Sequence, residues 1–313
     1  EVSRAVEDHF ELRGHYTPLV SERDQNFRLA AGDGNDYVIK VSHPSEDAMV
    51  TDRQVKLLLH LEAFGDVPTP VVIRTSAGEC SAVFELSGEV YSLRVVSYLD
   101  GTTLGALTLT DELAVDFGAK LARLDRALES FSTMGENPFS LWDLQQAAAL
   151  RDLQQYIDDP DIRSVVERTL DLFEASVAPR LRKLPRQAIH GDAYPDNVIA
   201  DAASKRVSGF IDFDDAVFAP RVVDVAIAAS YLRAGEPQPL RLINAFIGAY
   251  QSVQQLNPEE QELLLDLVRT RLATTITMLY WRLSAREDND PYRQKTLQSE
   301  GGAIHFLRAL ERH

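Results

Sequence analysis

Apolar and polar residues alternate with a period of two along much of the first hundred positions. Such alternation is typical of β-strands that bury one face. The segments predicted as strands are 17–20, 26–30, 37–41, 71–73, 81–86 and 91–98. Three-and-four spacing of apolar residues predicts helices over 2–12 and 48–64 instead. This part of the sequence therefore predicts a small, mostly antiparallel sheet with a helix packed on it.

Beyond Thr110 the periodicity changes to that of amphipathic helices. The predicted helices are 113–131, 142–157, 162–181, 222–232, 240–253, 258–284 and 291–310. Asn257 is suited to cap the helix that begins at Pro258, because proline is tolerated in a first helical turn. We therefore predict an α+β fold with a β-rich lobe over residues 1–98 and a hinge and helical lobe over residues 99–313.

Three short apolar strands interrupt the helices between residues 188 and 215. Polar side chains follow where the strands stop: Asp192 and Asn197 lie in one loop, and Asp212 follows the last strand. Carboxylate and amide oxygens are ligands that a hard divalent cation prefers. A free carboxylate beside them is a candidate base for a substrate hydroxyl, so the stretch favours metal-assisted phosphoryl transfer.

One lysine, Lys40, lies in the middle of the apolar strand 37–41. The strand pattern alone favours an edge strand whose lysine faces water. The functional interpretation is a lysine that binds phosphate.

The formal charge of −16 at pH 7 argues against a nucleic-acid partner, because no basic surplus is present to neutralise phosphates. Cys80 is the only cysteine, which excludes an internal disulfide and a cysteine-based zinc site. A reducing, cytoplasmic location is compatible with that content. No apolar run approaches the roughly 18 residues that a membrane span needs, and no signal-peptide pattern is present at the start.

The sequence HGD at 190–192 with Asn197, followed by IDF at 211–213, resembles the signature of the aminoglycoside phosphotransferase-like small-molecule kinases. Outlying segments agree in order. Residues 37–41 lie where the family has its phosphate-binding lysine strand. The segments that resemble the hydroxylysine kinase-type members are 21–27 in the first interstrand loop, 93–101 in the hinge, and 142–144. The resemblance covers nearly the whole chain and implies the two-lobed, protein kinase-like fold.

The resemblance also implies roles for the motif residues. Asp192 would orient and deprotonate the acceptor hydroxyl. The alternative is a purely structural role, as a loop carboxylate that caps nearby amides. Asn197 and Asp212 would bind Mg²⁺, whereas Asn197 as a mere turn residue is the alternative. Lys40 would reach the α- and β-phosphates of ATP or GTP.

Two further residues near the motif are expected to be structural. His190 would fix the loop by hydrogen bonds rather than carry a proton. Asp224 is at the position where this family has an aspartate that braces the catalytic loop.

The chain departs from the kinase pattern in three places. The helix over 48–64 offers Asp52 rather than a glutamate as the partner of Lys40, with Gln54 as the other candidate. A glycine-rich phosphate loop is absent, so the Ser21 hydroxyl and neighbouring amides would cover the phosphates. Asp214 replaces the usual glycine after Asp-Phe, and it would assist the metal, attract a cationic substrate or remain solvated.

The nucleotide base is expected to bond to the main chain of Ser97 and Leu99 in the hinge, which leaves ATP and GTP equally open. Arg271 is predicted to bind an acceptor carboxylate, with a surface arginine as the alternative. Other candidates for the acceptor pocket are Tyr194, Asp196, Asp214 and Trp142. Helical spacing places Tyr280 and Trp281 in the core more often than in a pocket.

The leading hypothesis is a Mg²⁺-dependent kinase that phosphorylates a small hydroxylated amine or amino acid, foremost 5-hydroxylysine. One alternative is an aminoglycoside or other amino-alcohol kinase with the same machinery. Another is a nucleotide-binding pseudokinase, which the presence of Lys40, Asp192, Asn197 and Asp212 disfavours. A protein kinase is disfavoured because no Ala-Pro-Glu segment ends an activation loop. The oligomeric state is left open.

Overall fold

A computed structural model describes residues 1–19, 25–44, 48–132, 135, 137, 139–233, 238–284 and 302–311. Its internal contacts divide the chain into two compact units. The first unit comprises Glu1–Gly101 together with Ser208–Asp214, and the second comprises Thr102–Val207 with Asp215–His313. Ser208–Asp214 therefore packs with a part of the chain that lies more than a hundred residues earlier.

The first unit is an antiparallel sheet with two helices. The helices are α1 (Val2–Phe10) and α2 (Ala48–Phe64); the strands are β1 (Gly14–Leu19), β2 (Gln25–Ala31), β3 (Asp36–Ser42), β4 (Val72–Ile73), β5 (Ala82–Leu86) and β6 (Glu89–Ser97). The strand order is β1-β2-β3-β6-β4, and β5 pairs with β6. These elements agree with the strands and helices that the period of two and the three-and-four spacing predicted.

The two faces of this sheet differ in character because side chains alternate along each strand. Ile39, Val41, Leu93 and Val95 are buried together with residues of α1. Lys40 lies between two of these positions and so points to the opposite face. β3 is flanked by β2 and β6, so Lys40 is in a central strand and not in the edge strand that the pattern alone favoured.

The second unit is mostly helical. Its helices are α3 (Asp111–Leu128), α4 (Pro160–Leu172), α5 (Ala178–Leu181), α6 (Val222–Ser230), α7 (Arg241–Val253), α8 (Pro258–Leu283) and α9 (302–310). Its strands are β7 (Thr102–Thr103), β8 (Gln187–Ile189), β9 (Val198–Asp201) and β11 (Val217–Ala219), and β10 (Arg206–Phe210) begins here and ends in the first unit. A π-helical turn, Phe173–Val177, joins α4 to α5 without a break.

Helix α8 begins where the sequence predicted. Asn257 accepts a hydrogen bond from the Glu260 amide at 2.9 Å, and Glu260 accepts one from the Asn257 amide at 2.7 Å. This capping box satisfies two of the amide donors that a helix start leaves open. Pro258 occupies the first turn, where its missing N–H costs nothing.

Other helical predictions need correction. Leu144–Tyr156 forms a 3₁₀ helix rather than an α-helix. Trp281 is 38% exposed although its spacing predicted a core position. Residues 291–301 of the last predicted helix lie outside the described residues. None of the helices in the described ranges combines the length and apolar character that a bilayer crossing needs.

Candidate active site

The motif loop, residues 190–197, connects β8 to β9 in the second unit. β8 pairs with β11, with Ile189 opposite Val217. Gly191 follows with a φ of 80°, in the left-handed region that only glycine adopts freely. At its end the Asn197 amide donates to the Tyr194 carbonyl at 2.9 Å and closes a 3₁₀ turn. Short buried strands at both ends thus fix the backbone of the loop.

Gly191→Ala should displace the backbone of the motif loop and lower kcat. A Cβ at this position would lie 2.2 Å from the Asp215 carbonyl oxygen, and a backbone atom cannot swing aside as a flexible side chain does. The loop must shift, and a shift of about 1 Å at a catalytic group can cost roughly 10²-fold in rate. We expect that loss in kcat, measured by steady-state kinetics on protein that thermal unfolding shows to be folded.

Gly78→Ala is the matched control for this substitution. Gly78 has a φ of 86°, but nothing lies within 4 Å of the Cβ that it would gain. It should carry the same backbone strain without loss of kcat. Wild-type kcat in Gly191→Ala would contradict the positioning role of this glycine.

Asp192 is held by two side chains of the second unit. Its Oδ1 accepts from Arg271 Nη2 at 2.7 Å, and its Oδ2 accepts from Asn197 Nδ2 at 3.0 Å. The side chain remains 19% exposed. The carboxylate is therefore oriented by its neighbours and still reachable by a small molecule, as a base requires.

Asn197 is oriented by the same contacts. Its Nδ2 donates to both the Oδ2 and the main-chain carbonyl of Asp192, each at 3.0 Å. Because the amide nitrogen is committed to Asp192, the amide oxygen is the atom that is left for a metal ligand.

Asp224 fixes the start of the motif loop from α6. It is fully buried, and its two oxygens accept from the amides of His190 at 2.8 Å and Gly191 at 2.9 Å. His190 is also fully buried, and its Nδ1 accepts from the Asp192 amide at 3.3 Å. These contacts are of the structural kind that we predicted for both residues.

Arg271 has a different partner from the one we predicted. Its side chain is only 2% exposed and forms an ion pair with Asp192 rather than facing solvent. Its guanidinium carbon lies 4.8 Å from the centre of the Trp142 ring and 5.9 Å from that of Tyr231. Burial alone would lower the pKa of Arg271, but Tyr231 and Asp192 outweigh it and raise the pKa. Arg271 is thus a buried charge that holds the Asp192 carboxylate.

The other predicted acceptor residues of the second unit lie near this group or on the loop. The Tyr194 ring packs 5.5 Å from that of Tyr231, and the Trp142 carbonyl accepts from Arg271 Nη1 at 3.3 Å. Asp196 is exposed, and its Oδ1 lies 2.1 Å from where a Cβ on Gly105 would be. A glycine at 105 therefore makes room for the Asp196 carboxylate.

Lys40 is the centre of a charged cluster in the first unit. Its Nζ contacts both oxygens of Asp214 at 2.8 Å and Oδ1 of Asp212 at 3.3 Å. Burial alone would lower the pKa of Lys40, but the charges of Asp214 and Asp212 outweigh it, so that the pKa is raised. Burial likewise would raise the pKa of Asp214, but Lys40 and Arg94 outweigh it and lower the pKa. Both partners therefore stay ionised near neutral pH.

The expected pair between Lys40 and Asp52 is not formed. Asp52 points to solvent on α2 and pairs with Lys56, one turn later, at 2.5 Å. Among the described residues, the ion pairs of Lys40 go to Asp212 and Asp214. Asp214 therefore takes the part that we assigned to the helix.

Gln54, the other candidate on α2, is committed to Arg94. It accepts a hydrogen bond from Arg94 Nη1, while Arg94 Nη2 donates to Ser42 Oγ at 3.2 Å. Arg94 is directly opposite Lys40 in the pairing of β3 with β6. Like charges in such a pair repel each other, which explains why a nearby carboxylate is needed. Sequence reasoning missed Arg94.

Asp212 has a φ of 61°, a left-handed conformation that costs free energy for a residue with a side chain. Strained backbone is common at functional sites. The side chain is half exposed, at 50%, so its carboxylate is open to a ligand. A cavity of about 30 Å³ in the same unit is lined in part by Lys40, Arg94, Asp212 and Asp214.

The expected nucleotide contacts of the hinge and first loop are only partly described. The Ser97 amide donates to the Val71 carbonyl at 2.8 Å, and the Ser97 hydroxyl accepts from the Val71 amide at 2.9 Å. Both groups are thus used within the sheet, and Leu99 lies two residues after the end of β6. Ser21 lies outside the described residues.

Comparison with known proteins bears on these two groups of residues. The phosphotransferase enzyme family matches residues 15–263, a span that contains Lys40, Asp192, Asn197 and Asp212. The chain belongs to this family. The resemblance predicted from the motif is therefore confirmed.

Relatives of this phosphotransferase include amino-acid kinases. Hydroxylysine kinase of Danio rerio is 26% identical over 307 residues, which covers 94% of this chain and 86% of the relative. Homoserine kinase of Nitrobacter winogradskyi is 32% identical over 222 residues, which covers 68% of this chain and 62% of the relative. These relatives and the family confirm that this phosphotransferase is a small-molecule kinase.

A solved structure confirms the fold class of the phosphotransferase. An amicoumacin kinase, solved in complex with AMP-PNP, Ca²⁺ and Ami, superposes with a TM-score of 0.69 at 14% identity. The match covers 93% of this chain and 88% of the other. The kinase-like α+β fold, with a sheet in the first part and helices in the remainder, is the one that we expected.

Proposed function

We propose that this phosphotransferase moves the γ-phosphoryl group of ATP or GTP to the hydroxyl of a hydroxylated amino acid, foremost 5-hydroxylysine. The observation that carries the proposal is the orientation of Asp192 by Arg271 and Asn197. A base that is fixed in direction but reachable suits abstraction of a proton from an alcohol. The amino-acid class of acceptor is supported by the relatives named hydroxylysine kinase and homoserine kinase.

In the proposed reaction, the acceptor oxygen bonds to the γ-phosphorus as the bond from that phosphorus to the bridging oxygen breaks. The hydroxyl proton passes to Asp192, and the nucleoside diphosphate leaves. Such a transfer depends on positioning and charge neutralisation more than on covalent chemistry. Arg271 fixes one oxygen of the base, and Asn197 fixes the other.

The donor nucleotide and its cation need oxygen ligands and positive charge from the protein. Lys40, held in place by Asp214, would bind the α- and β-phosphates. Candidate ligands for Mg²⁺ are the half-exposed carboxylate of Asp212 in the first unit and the amide oxygen of Asn197 in the second, because each is an oxygen ligand of the type that Mg²⁺ prefers. When bound, Mg²⁺ neutralises charge on the phosphates.

An exposed arginine near the base is suited to an acceptor carboxylate. Arg282 lies on the same helix as Arg271, eleven residues later and on the same face. Its guanidinium carbon lies 5.2 Å from the centre of the Trp142 ring, on which Arg271 also packs. A planar guanidinium that is steadied by an aromatic ring presents a fork to a carboxylate. We therefore assign the acceptor carboxylate to Arg282 in place of Arg271.

Arg282→Gln should raise KM about tenfold or more for hydroxylated amino acids and leave KM unchanged for the corresponding amino alcohols. A charge-assisted hydrogen bond contributes about 1.5–3 kcal/mol, which is roughly tenfold or more in affinity. Arg241→Gln, at an exposed arginine that pairs with Asp111, is the control. An equal rise of KM for both classes of acceptor would show that Arg282 does not bind the carboxylate.

The proposed function is tested by assaying nucleotide turnover with both ATP and GTP against a panel of acceptors. The panel comprises 5-hydroxylysine, homoserine, 1-amino-2-propanol and an aminoglycoside. We expect acceptor-dependent release of nucleoside diphosphate, with the highest kcat/KM for 5-hydroxylysine. No acceptor-dependent transfer would refute the proposal, and a higher kcat/KM for the aminoglycoside would place the chain in the alternative class.

A further inference from the structure

Two buried carboxyl groups lie next to each other beneath the motif loop. Asp125 in α3 and Asp224 in α6 are both 0% exposed. Their side chains are within hydrogen-bonding distance of each other. Two adjacent carboxylates repel each other, and a single shared proton converts the repulsion into a strong hydrogen bond. The folded chain therefore holds one proton on this pair.

The hydrogen-bond donors around the pair show which carboxyl carries the proton. Asp224 already accepts from the His190 and Gly191 amides, which favours its ionised form. Asp125 Oδ2 accepts from the Tyr250 hydroxyl at 2.6 Å, whereas no donor among the described residues reaches Oδ1. Burial first, and then the charge of Asp224, raise the pKa of Asp125 well above the ordinary carboxyl value. The proton belongs on Asp125 Oδ1, which donates it to Asp224.

Close packing of two helices produces this arrangement. A Cβ on Gly118 of α3 would lie 2.1 Å from the Phe246 carbonyl oxygen of α7, so the helices touch at that point. Asp125 is seven residues after Gly118 on the same face of α3, and Tyr250 is one turn after Phe246. The fully buried Tyr250 thereby places its hydroxyl on Asp125.

The charged groups around the pair do not replace the shared proton. Arg221, at the start of α6, lowers the pKa of Asp125 by its charge, but its guanidinium is bonded to the buried Glu260 of α8. His190 acts on Asp224 from the motif loop, and its Nδ1 is used by the Asp192 amide. The Tyr250 hydroxyl donates its hydrogen bond to Oδ2 of Asp125, the oxygen that does not face Asp224.

We propose that Asp125, in its protonated form, is a positioning residue for phosphoryl transfer. It orients Asp224, which fixes the His190 and Gly191 amides and thereby the direction of Asp192. The inference rests on the proposed role of Asp192 as the base. It adds a residue of α3, 67 positions before Asp192, to the machinery of the reaction.

Two substitutions at Asp125 distinguish the effect of its hydrogen-bond donor from the effect of its side-chain volume. Asp125→Asn keeps a donor toward Asp224, so kcat should stay within about threefold of the wild type. Asp125→Leu keeps an apolar side chain of similar size without a donor, so kcat should fall at least about tenfold with KM nearly unchanged. Unchanged kcat in Asp125→Leu, or an equal loss in both variants, would overturn the proposal.

The pH dependence of unfolding gives a readout that does not need activity. The folded chain keeps a proton that an unfolded aspartate releases above its ordinary pKa of 3.8. The pair therefore stabilises the folded chain most below pH 3.8, and this stabilisation declines as the pH rises from 3.8 toward the raised pKa of Asp125. Over that range the unfolding equilibrium constant rises by up to about tenfold per pH unit. Asp125→Asn has no such proton, and its decline should be shallower by that amount.

Hydrogen exchange at the His190 and Gly191 amides completes the test. Exchange should be faster in folded Asp125→Leu than in the wild type and unchanged in Asp125→Asn, whether or not the acceptor has been identified. If Asp125→Leu fails to fold, the unfolding profile of Asp125→Asn decides the question. A profile for Asp125→Asn that is parallel to the wild type would refute the shared proton. If only the turnover assays fail, the role of Asp192 is wrong and the proton pair stands.

Discussion

Asp192→Asn is expected to lower kcat by about 10²–10⁴-fold, the range for loss of a general base. The asparagine has the same shape, and its amide oxygen can still accept from Arg271 Nη2, although its amide nitrogen cannot accept from Asn197 Nδ2 as the Asp192 Oδ2 does. The motif loop should therefore keep its geometry while the variant loses the group that takes the hydroxyl proton. The measurement is kcat with the acceptor and the nucleotide both saturating, together with the Kd of the nucleotide by calorimetry.

The choice of asparagine matters because Arg271 is buried. Removing one partner of a buried ion pair costs about 3–5 kcal/mol, since the other charge is left uncompensated. Asp192→Ala would therefore combine lost chemistry with lost stability. Asn keeps a hydrogen bond to the guanidinium, so thermal unfolding should show a folded variant at the assay temperature.

Asp152→Asn is the control for Asp192→Asn. Asp152 is exposed in the 3₁₀ segment Leu144–Tyr156, and the substitution is the same change of atoms. It should leave kcat unchanged. The Kd of the nucleotide should stay within about threefold of the wild type in both variants, because the proposed phosphate contacts are in the first unit. Near-normal kcat in Asp192→Asn would refute its role as the base.

The parts of the fold that follow local rules could be predicted from the sequence. The period-two strands of the first unit and the capped start of α8 are examples, because side-chain alternation and capping act over a few residues. The 3₁₀ segment was missed, although its signal was present. Leu144, Ala147 and Leu150 are all buried and recur every third residue, which is the 3₁₀ period rather than the α period.

The partner of Lys40 could not be found in the same way, because Asp214 comes from a segment 174 residues later. The signal against Asp52 was nevertheless local. Val55 and Leu58 of α2 are buried, which also turns Gln54 inward. Asp52 and Lys56 are one turn apart on the outer face, where such pairs form readily.

The place of Arg94 depends on strand order. It lies opposite Lys40 only because β3 pairs with β6, which is not the next strand along the chain. A shift of one residue in that pairing would send Arg94 to the other face of the sheet. Alternation in Leu93-Arg94-Val95 showed that the arginine differs in direction from its neighbours, but the neighbour across the sheet is a property of the fold.

Lys40→Met is expected to lower kcat/KM for the nucleotide by about 10²–10³-fold, the cost of removing one preorganised electrostatic group. Methionine keeps much of the length of the side chain but loses the charge that Asp214 and Asp212 now share. Asp214 should then lose its main source of compensation. The measurement is kcat/KM for the nucleotide at saturating acceptor.

Asp214 and Asp52 provide the decisive comparison for the partner of Lys40. If Asp214 orients the lysine, Asp214→Asn should lower kcat/KM about tenfold, whereas Asp52→Asn should leave it within about twofold, because exposed ion pairs contribute little. In the Lys40→Met background, Asp214→Asn should add almost nothing, since residues that act as a unit are not additive. If Asp52→Asn lowered kcat/KM and Asp214→Asn did not, the partner of Lys40 would be Asp52 of α2 and not Asp214.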